Sequence, residues 1–217
     1  MRAPPVLLLA AAGFAASAAD RQLLDEVVAV VEARSITLSE VAAETRLRLV
    51  EAEGPSTANL PLDRRILAAS LRKTIQERVV LSEMQRLKLF DLEPGEVEAL
   101  LARLRGRFPS RADYDAFVRS IELTEEEIGA ILARELRVAR YLDNRLKLAA
   151  QLRDGELEEA WKAQGRSGDR EELRQRLSKE KYERLLSELL ADLRRKANVR
   201  IVDPLDGEAR SIAAGAR

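Results

Sequence analysis

Val27-Val28-Ala29-Val30-Val31-Glu32-Ala33-Arg34-Ser35-Ile36-Thr37-Leu38-Ser39-Glu40 is the stretch on which the fold turns. Its first five residues are small or β-branched and long enough for one strand. Arg34-Ser35 can reverse the chain, and Ile36 begins a second short extended piece. Thr37 then stands three residues before Glu40, a capping box in which the threonine oxygen accepts a backbone N–H of the first helical turn. A lone strand leaves its backbone groups unpaired, and two short strands are marginal by themselves. The other strand candidate, Val199-Arg200-Ile201-Val202, lies at the far end of the chain. Pairing it with Val27–Val31 closes the chain end to end. The expectation is a mainly α domain tied by a small sheet.

Between these ends the periodicity is helical. The helix opened by Thr37 carries Leu38, Val41, Ala42, Thr45 and Leu49 on one face, and Gly54-Pro55-Ser56 ends it. A longer helix is expected from Leu62 to Leu89, with Leu67, Leu71, Ile75 and Val79 stepping at four and Val80, Met84 and Leu87 widening the stripe. Pro94 sits in the first turn of a helix holding Val97, Leu100, Leu101 and Leu104. Phe108-Pro109-Ser110 breaks it, and Ser110 caps a short helix with Tyr114, Phe117, Val118 and Ile121. Thr124-x-x-Glu127 is a second capping box, opening a helix striped by Ile128, Ile131, Leu132, Leu136, Ala139, Leu142 and Leu146. A last helix is expected from Asp169 to Ala197, with Leu185, Leu186, Leu189, Leu190 and Leu193 facing inward. In front of it, Trp161 is expected to anchor a short helix, 156–163, to the body. Segment 203–217 is expected to be a disordered tail.

Composition narrows the chemistry. Of 217 residues, 46% are hydrophobic and 34% charged, enough for a core under a charged surface. Lys plus Arg and Asp plus Glu are 37 each, a balance that argues against a nucleic-acid partner. The chain has no His and no Cys, which removes imidazole acid–base pairs, thiol nucleophiles, disulfides and the commonest metal ligands. No catalytic, cofactor-binding or metal-binding residue is assigned. Arg2, the apolar run from Val6 to Ala16 and Ala16-Ser17-Ala18 read as a cleavable signal peptide over 1–18, cut beside Ala18 or Ala19. That run is short of the about 20 apolar residues a bilayer span needs, so stable membrane insertion is not expected. The expected destination is the periplasm.

The order of these elements resembles the SurA-like periplasmic chaperone family. The carriers are the strand 27–31 with Ile36-Thr37-Leu38-Ser39-Glu40-Val41, and Gln76-Glu77-Arg78-Val79-Val80-Leu81-Ser82-Glu83-Met84. Leu92-Glu93-Pro94-Gly95-Glu96-Val97, Phe108-Pro109-Ser110, Leu123-Thr124-Glu125-Glu126-Glu127 and the closing Leu193 to Ile201 continue the match. It spans Asp25 to about Val202. The resemblance implies a chaperone core running from 19 to 202 that binds unfolded envelope or outer-membrane proteins in an apolar cleft without ATP. Many family members insert a parvulin prolyl isomerase domain before the last helix. Here only 153–168 fills that gap, a linker too short for a folded domain of roughly 100 residues, so no isomerase activity is expected. Met84, Phe90, Leu100, Leu104, Phe108, Tyr114 and Phe117 are the candidates for client contact, because flexible and aromatic side chains suit promiscuous binding. The competing readings are an envelope adaptor with one folded partner and, more remotely, a prolyl isomerase.

Overall fold

The computed structural model describes residues 25–87, 92–165, 167 and 169–205. Strand β1 is Val27–Val31, β2 is Arg34–Thr37 and β3 is Val199–Ile201. They form one antiparallel sheet in the order β2-β1-β3. The end-to-end pairing is therefore present, with Ala29 opposite Ile201, Val30 opposite Arg200 and Val31 opposite Val199. The turn between β1 and β2 holds Glu32 at φ 54°, a left-handed conformation that costs a non-glycine residue about 1 kcal/mol or more. Glu32 also fastens the two ends together. Its N–H donates to the Asn198 carbonyl at 2.7 Å, and its carboxylate accepts the Asn198 N–H at 3.2 Å.

Among the described residues, seven α-helices fill the interval: α1 Leu38–Glu53, α2 Arg64–Arg86, α3 Pro94–Arg105, α4 Arg111–Ser120, α5 Glu125–Leu146, α6 Asp154–Ala163 and α7 Arg170–Lys196. Their starts follow the capping chemistry. Thr37, Ser110 and Thr124 accept the backbone N–H of Glu40, Asp113 and Glu127. At Thr124 the box is reciprocal, with Glu127 accepting the Thr124 N–H at 2.7 Å. At Thr37 it is not, because the Glu40 carboxylate pairs with Arg78 of α2 instead. Asp63 accepts the Ile66 N–H at 2.8 Å and so starts α2 at Arg64. That helix ends at Arg86, leaving Leu87 past it and 41% exposed rather than on the apolar stripe.

Two apolar clusters make up the interior. The first joins the sheet to α2, to Val138 and Tyr141 of α5 and to Leu193 of α7. The second packs Ala43, Leu47 and Val50 of α1 against α3, α4 and Ile128, Ile131 and Leu132 of α5. Helices α1 and α5 thus serve both clusters, and each turns its inward face partway along. This explains why Leu49, Leu136 and Ala139 of the expected stripes are not buried while Leu47, Val50, Val138 and Tyr141 are. A Cβ on Gly129 of α5 would meet side-chain atoms of Val97 and Leu101 of α3 at 3.4 Å, an ordinary contact, so the α3–α5 packing does not require glycine there.

Beyond β3 the chain is packed, not loose. Leu205 is 3% exposed in the first cluster, and its carbonyl accepts from Arg64 Nε at 3.1 Å. Residues 203–205, expected in the tail, are therefore part of the packed body. The signal segment, its cut beside Ala18 or Ala19, Phe90 and residues 206–217 lie outside the described residues.

Candidate functional site

Of the residues singled out for client contact, those described are buried or packed against the core. Met84 is fully buried in the first cluster; Leu104, Phe108, Tyr114 and Phe117 are buried in the second, with Leu100 packed against them. Phe108 meets the Tyr114 ring edge-on at 5.5 Å and lies 5.3 Å from Phe117. The Tyr114 hydroxyl donates to Glu125 at 3.0 Å. Only Phe108 and Phe117 border a surface recess, of about 400 Å³, beside Pro55 and Pro109. Their mixed size and shape serve to fill an interior where several short helices converge. Trp161 is likewise not the anchor of α6: it is half-buried under the Arg170 guanidinium at 5.2 Å, and Leu157 is the buried contact.

Between the two apolar clusters lies an ionic seam that the sequence did not announce. Arg48 of α1 donates through Nη2 to Glu44 at 2.9 Å and to Glu77 of α2 at 2.8 Å, and through Nε to Glu135 of α5 at 2.7 Å. Thr74 of α2 donates to Glu44 at 3.0 Å, and Arg134 of α5 pairs with the other Glu44 oxygen. Glu44 is 1% exposed. Burial opposes the charge on Arg48, but Glu77, Glu44 and Glu135 outweigh it and raise its pKa. For Glu77, burial pushes the carboxyl up; Arg48 holds it back, and Glu135 pushes it further. One guanidinium shared among three carboxylates does not fully compensate each of them. The seam fixes the relative placement of α1, α2 and α5 and has no substrate-sized opening of its own.

The surface offers two grooves with mostly apolar walls. One, of about 530 Å³, runs between α1 and the α4–α5 junction, walled by Ala42, Ala43, Ile121 and Ile131. Its charged floor, Glu44 and Arg134, is already engaged in the seam. The other, of about 420 Å³, lies between α2 and α7 and ends at β3, with Ile75, Val79, Leu190 and Ile201 in its walls. The charged residues among those described in its walls are Arg72 and Arg194. Burial presses the Arg194 pKa down.

Comparison with models of known protein families and with curated proteins finds no match for this chain.

The α2–α7 groove continues onto surface that the last helix leaves uncovered. Helix α7 is 27 residues long, yet only Leu173 and Leu193 are buried among its described side chains. Leu185, Leu186, Leu189 and Leu190 are half-buried, although the sequence placed them on the inward face. The physical reason is geometric. Helix α7 packs against α2 and α5 toward its C-terminal end and α6 toward its start, so its middle has few neighbours. Ile201 and Val202, 43% and 54% exposed, extend the apolar surface at β3. Among the described residues, no helix is long and apolar enough to cross a membrane.

Proposed function

We propose that this chain is an ATP-independent chaperone that holds unfolded envelope or outer-membrane polypeptides after export to the periplasm. The observation that carries the reading is the half-covered leucine face of α7, one of whose residues, Leu190, lines the apolar groove against α2. Apolar surface of this kind gains affinity by removing client side chains from water. Charged residues around it keep a loaded complex in solution, and weak, shallow contact allows release without nucleotide. The resemblance to the SurA-like chaperone core, with its end-to-end strand pairing and no room for an isomerase insert, points the same way.

The purified protein is expected to suppress aggregation of an unfolded outer-membrane protein at near-equimolar ratio without ATP. Absence of suppression, or capture of one folded partner instead of many unfolded ones, would replace the chaperone reading with an adaptor. Protein isolated from its native host is expected to begin near Ala19. A prolyl isomerase assay separates the enzymatic alternative, since reproducible acceleration of X-Pro exchange would overturn the non-enzymatic reading.

A further inference from the structure

Strand β3 stands at the edge of its sheet, and the register decides which of its backbone groups are spent. Val202 N–H donates to the Val28 carbonyl at 2.8 Å, and Glu32 N–H donates to the Asn198 carbonyl at 2.7 Å. Val30 lies opposite Arg200 between these two bonded pairs. Bonded and non-bonded pairs alternate along an antiparallel ladder, so Arg200 turns its N–H and C=O toward β1. The N–H and C=O groups of Val199 and Ile201 therefore point to the outer edge, where no described segment pairs with them. Ile201 shares a sheet face with Ala29 and Val31 and lines the α2–α7 groove.

An extended chain added along this edge would lay alternate side chains over Ile75, Val79 and Leu190. The charged residues described in its wall are Arg72, which is otherwise engaged, and Arg194. Arg194 makes no ion pair or hydrogen bond among the described residues, while its neighbours Arg195 and Lys196 are both paired with Asp192. Desolvation without a partner is what a bound carboxylate would relieve.

We propose that β3 and the α2–α7 groove form a strand-addition site for an extended polypeptide segment with alternating apolar residues and an acidic side chain, which pairs with Arg194. The site rests on the holding function proposed above and names its mode of contact: backbone hydrogen bonds give the affinity, and the groove and Arg194 give the preference. The short length of β3 and the charge of Arg200 limit indiscriminate edge pairing.

The test uses the full exported chain and a short acetylated, amidated peptide alternating Thr and Val with one Glu near its end. The peptide is expected to shift and protect the Val199 and Ile201 amides. Ile201→Pro removes an outward N–H and no bond to β1, so it should keep the fold and weaken binding by about tenfold or more. Arg194→Glu should weaken binding similarly, and a peptide with Lys in place of Glu should restore it. Unchanged binding in both variants overturns the proposal. So does a dimer that Ile201→Pro dissociates, or movement of the Val199 and Ile201 amides when residues 206–217 are removed, since either means that the chain itself occupies the edge. Aggregation suppression that survives in a variant unable to bind the peptide would sink the edge site and leave the holding function standing. Failure of the unaltered protein to suppress aggregation would sink the function instead.

Discussion

Replacing Arg48 by methionine is the sharpest probe of what joins the two halves of the core. The side chain is 12% exposed and bonds three carboxylates at 2.7–2.9 Å, of which Glu44 and Glu77 are 1% and 8% exposed. Methionine fills much of the same volume, so packing changes little and the charge effect dominates. Removing one partner from a buried ionic group costs about 3–5 kcal/mol, because the remaining charges stay out of water without compensation. Glu135 is 21% exposed and Arg134 still holds Glu44, which favours the lower end, about 3 kcal/mol. Against a total stability of about 5–15 kcal/mol, that is a large share. Urea unfolding followed by circular dichroism at pH 7 measures it directly. The loss should shrink as pH falls toward 5, because burial already raises the Glu77 carboxyl and favours its taking up a proton, and shrink again in Arg48→Met combined with Glu77→Gln. Arg111→Ala, which breaks the exposed pair with Asp115, serves as the comparison and should change stability by less than about 1 kcal/mol. A loss below about 1 kcal/mol for Arg48→Met at both pH values would refute the idea that the seam's charges are interdependent.

Stability of the unaltered protein should rise slightly as pH falls from 7 toward 5. Glu77 and Glu51 have pKa values raised first by burial, so the folded state binds protons before the unfolded state does. Below about pH 4 the trend should reverse, because Glu125, Glu127 and Glu156 are held low by hydrogen bonds to Arg105, Thr124 and the Arg153 backbone, and that stabilisation goes as they protonate; thermal unfolding across pH 3–8 checks both limbs. Leu193→Ala should cost about 2–4 kcal/mol in urea unfolding, since Leu193 is 5% exposed in the first cluster, whereas Leu185→Ala at the half-exposed middle of α7 should cost about 1 kcal/mol. Gly129→Ala should raise stability by about 0.5–1 kcal/mol, because a Cβ reaches Val97 and Leu101 at ordinary contact distance and the helix loses a glycine; Gly129→Leu should lower it.

The ends of this chain were legible because each posed a problem with one simple solution. The extended pieces at 27–31 and 199–202 need hydrogen-bond partners, and apart from the short piece at 34–37 no other segment offered them. The helix starts were legible because Thr37, Ser110 and Thr124 announce themselves through local chemistry. The inward faces of α1 and α5 were not. A single stripe assumes one core, but Val41 and Leu47, six residues apart on α1, serve different clusters. Glu44 and Arg48 lie between them, and in sequence they are indistinguishable from any exposed i, i+4 pair. What buries them is the approach of Glu77 and Glu135, which no local pattern encodes. The burial of Met84, Leu104, Phe108, Tyr114 and Phe117 was hard to read for the same reason: an apolar side chain at helical spacing carries no mark of whether a neighbour will cover it.

The uncovered face of α7 follows from that division of the core. A helix that served one continuous core would be buried along its length, but α7 reaches the first cluster only through Leu189, Leu190 and Leu193 and never touches the second. Upstream, α6 covers its start through Leu157, Leu173 and the Lys181–Glu156 bridge. The middle, at Leu185 and Leu186, lies between these two attachments. Charged residues at Leu185 and Leu186 would cost the core little, whereas Leu189 and Leu190 pack against the first cluster. Leu190 stands beside a groove that also holds Arg194 and ends at the open edge of β3, and this makes the α2–α7–β3 surface, rather than the larger α1 groove whose Glu44 and Arg134 are already paired with each other, the place to look for a bound chain.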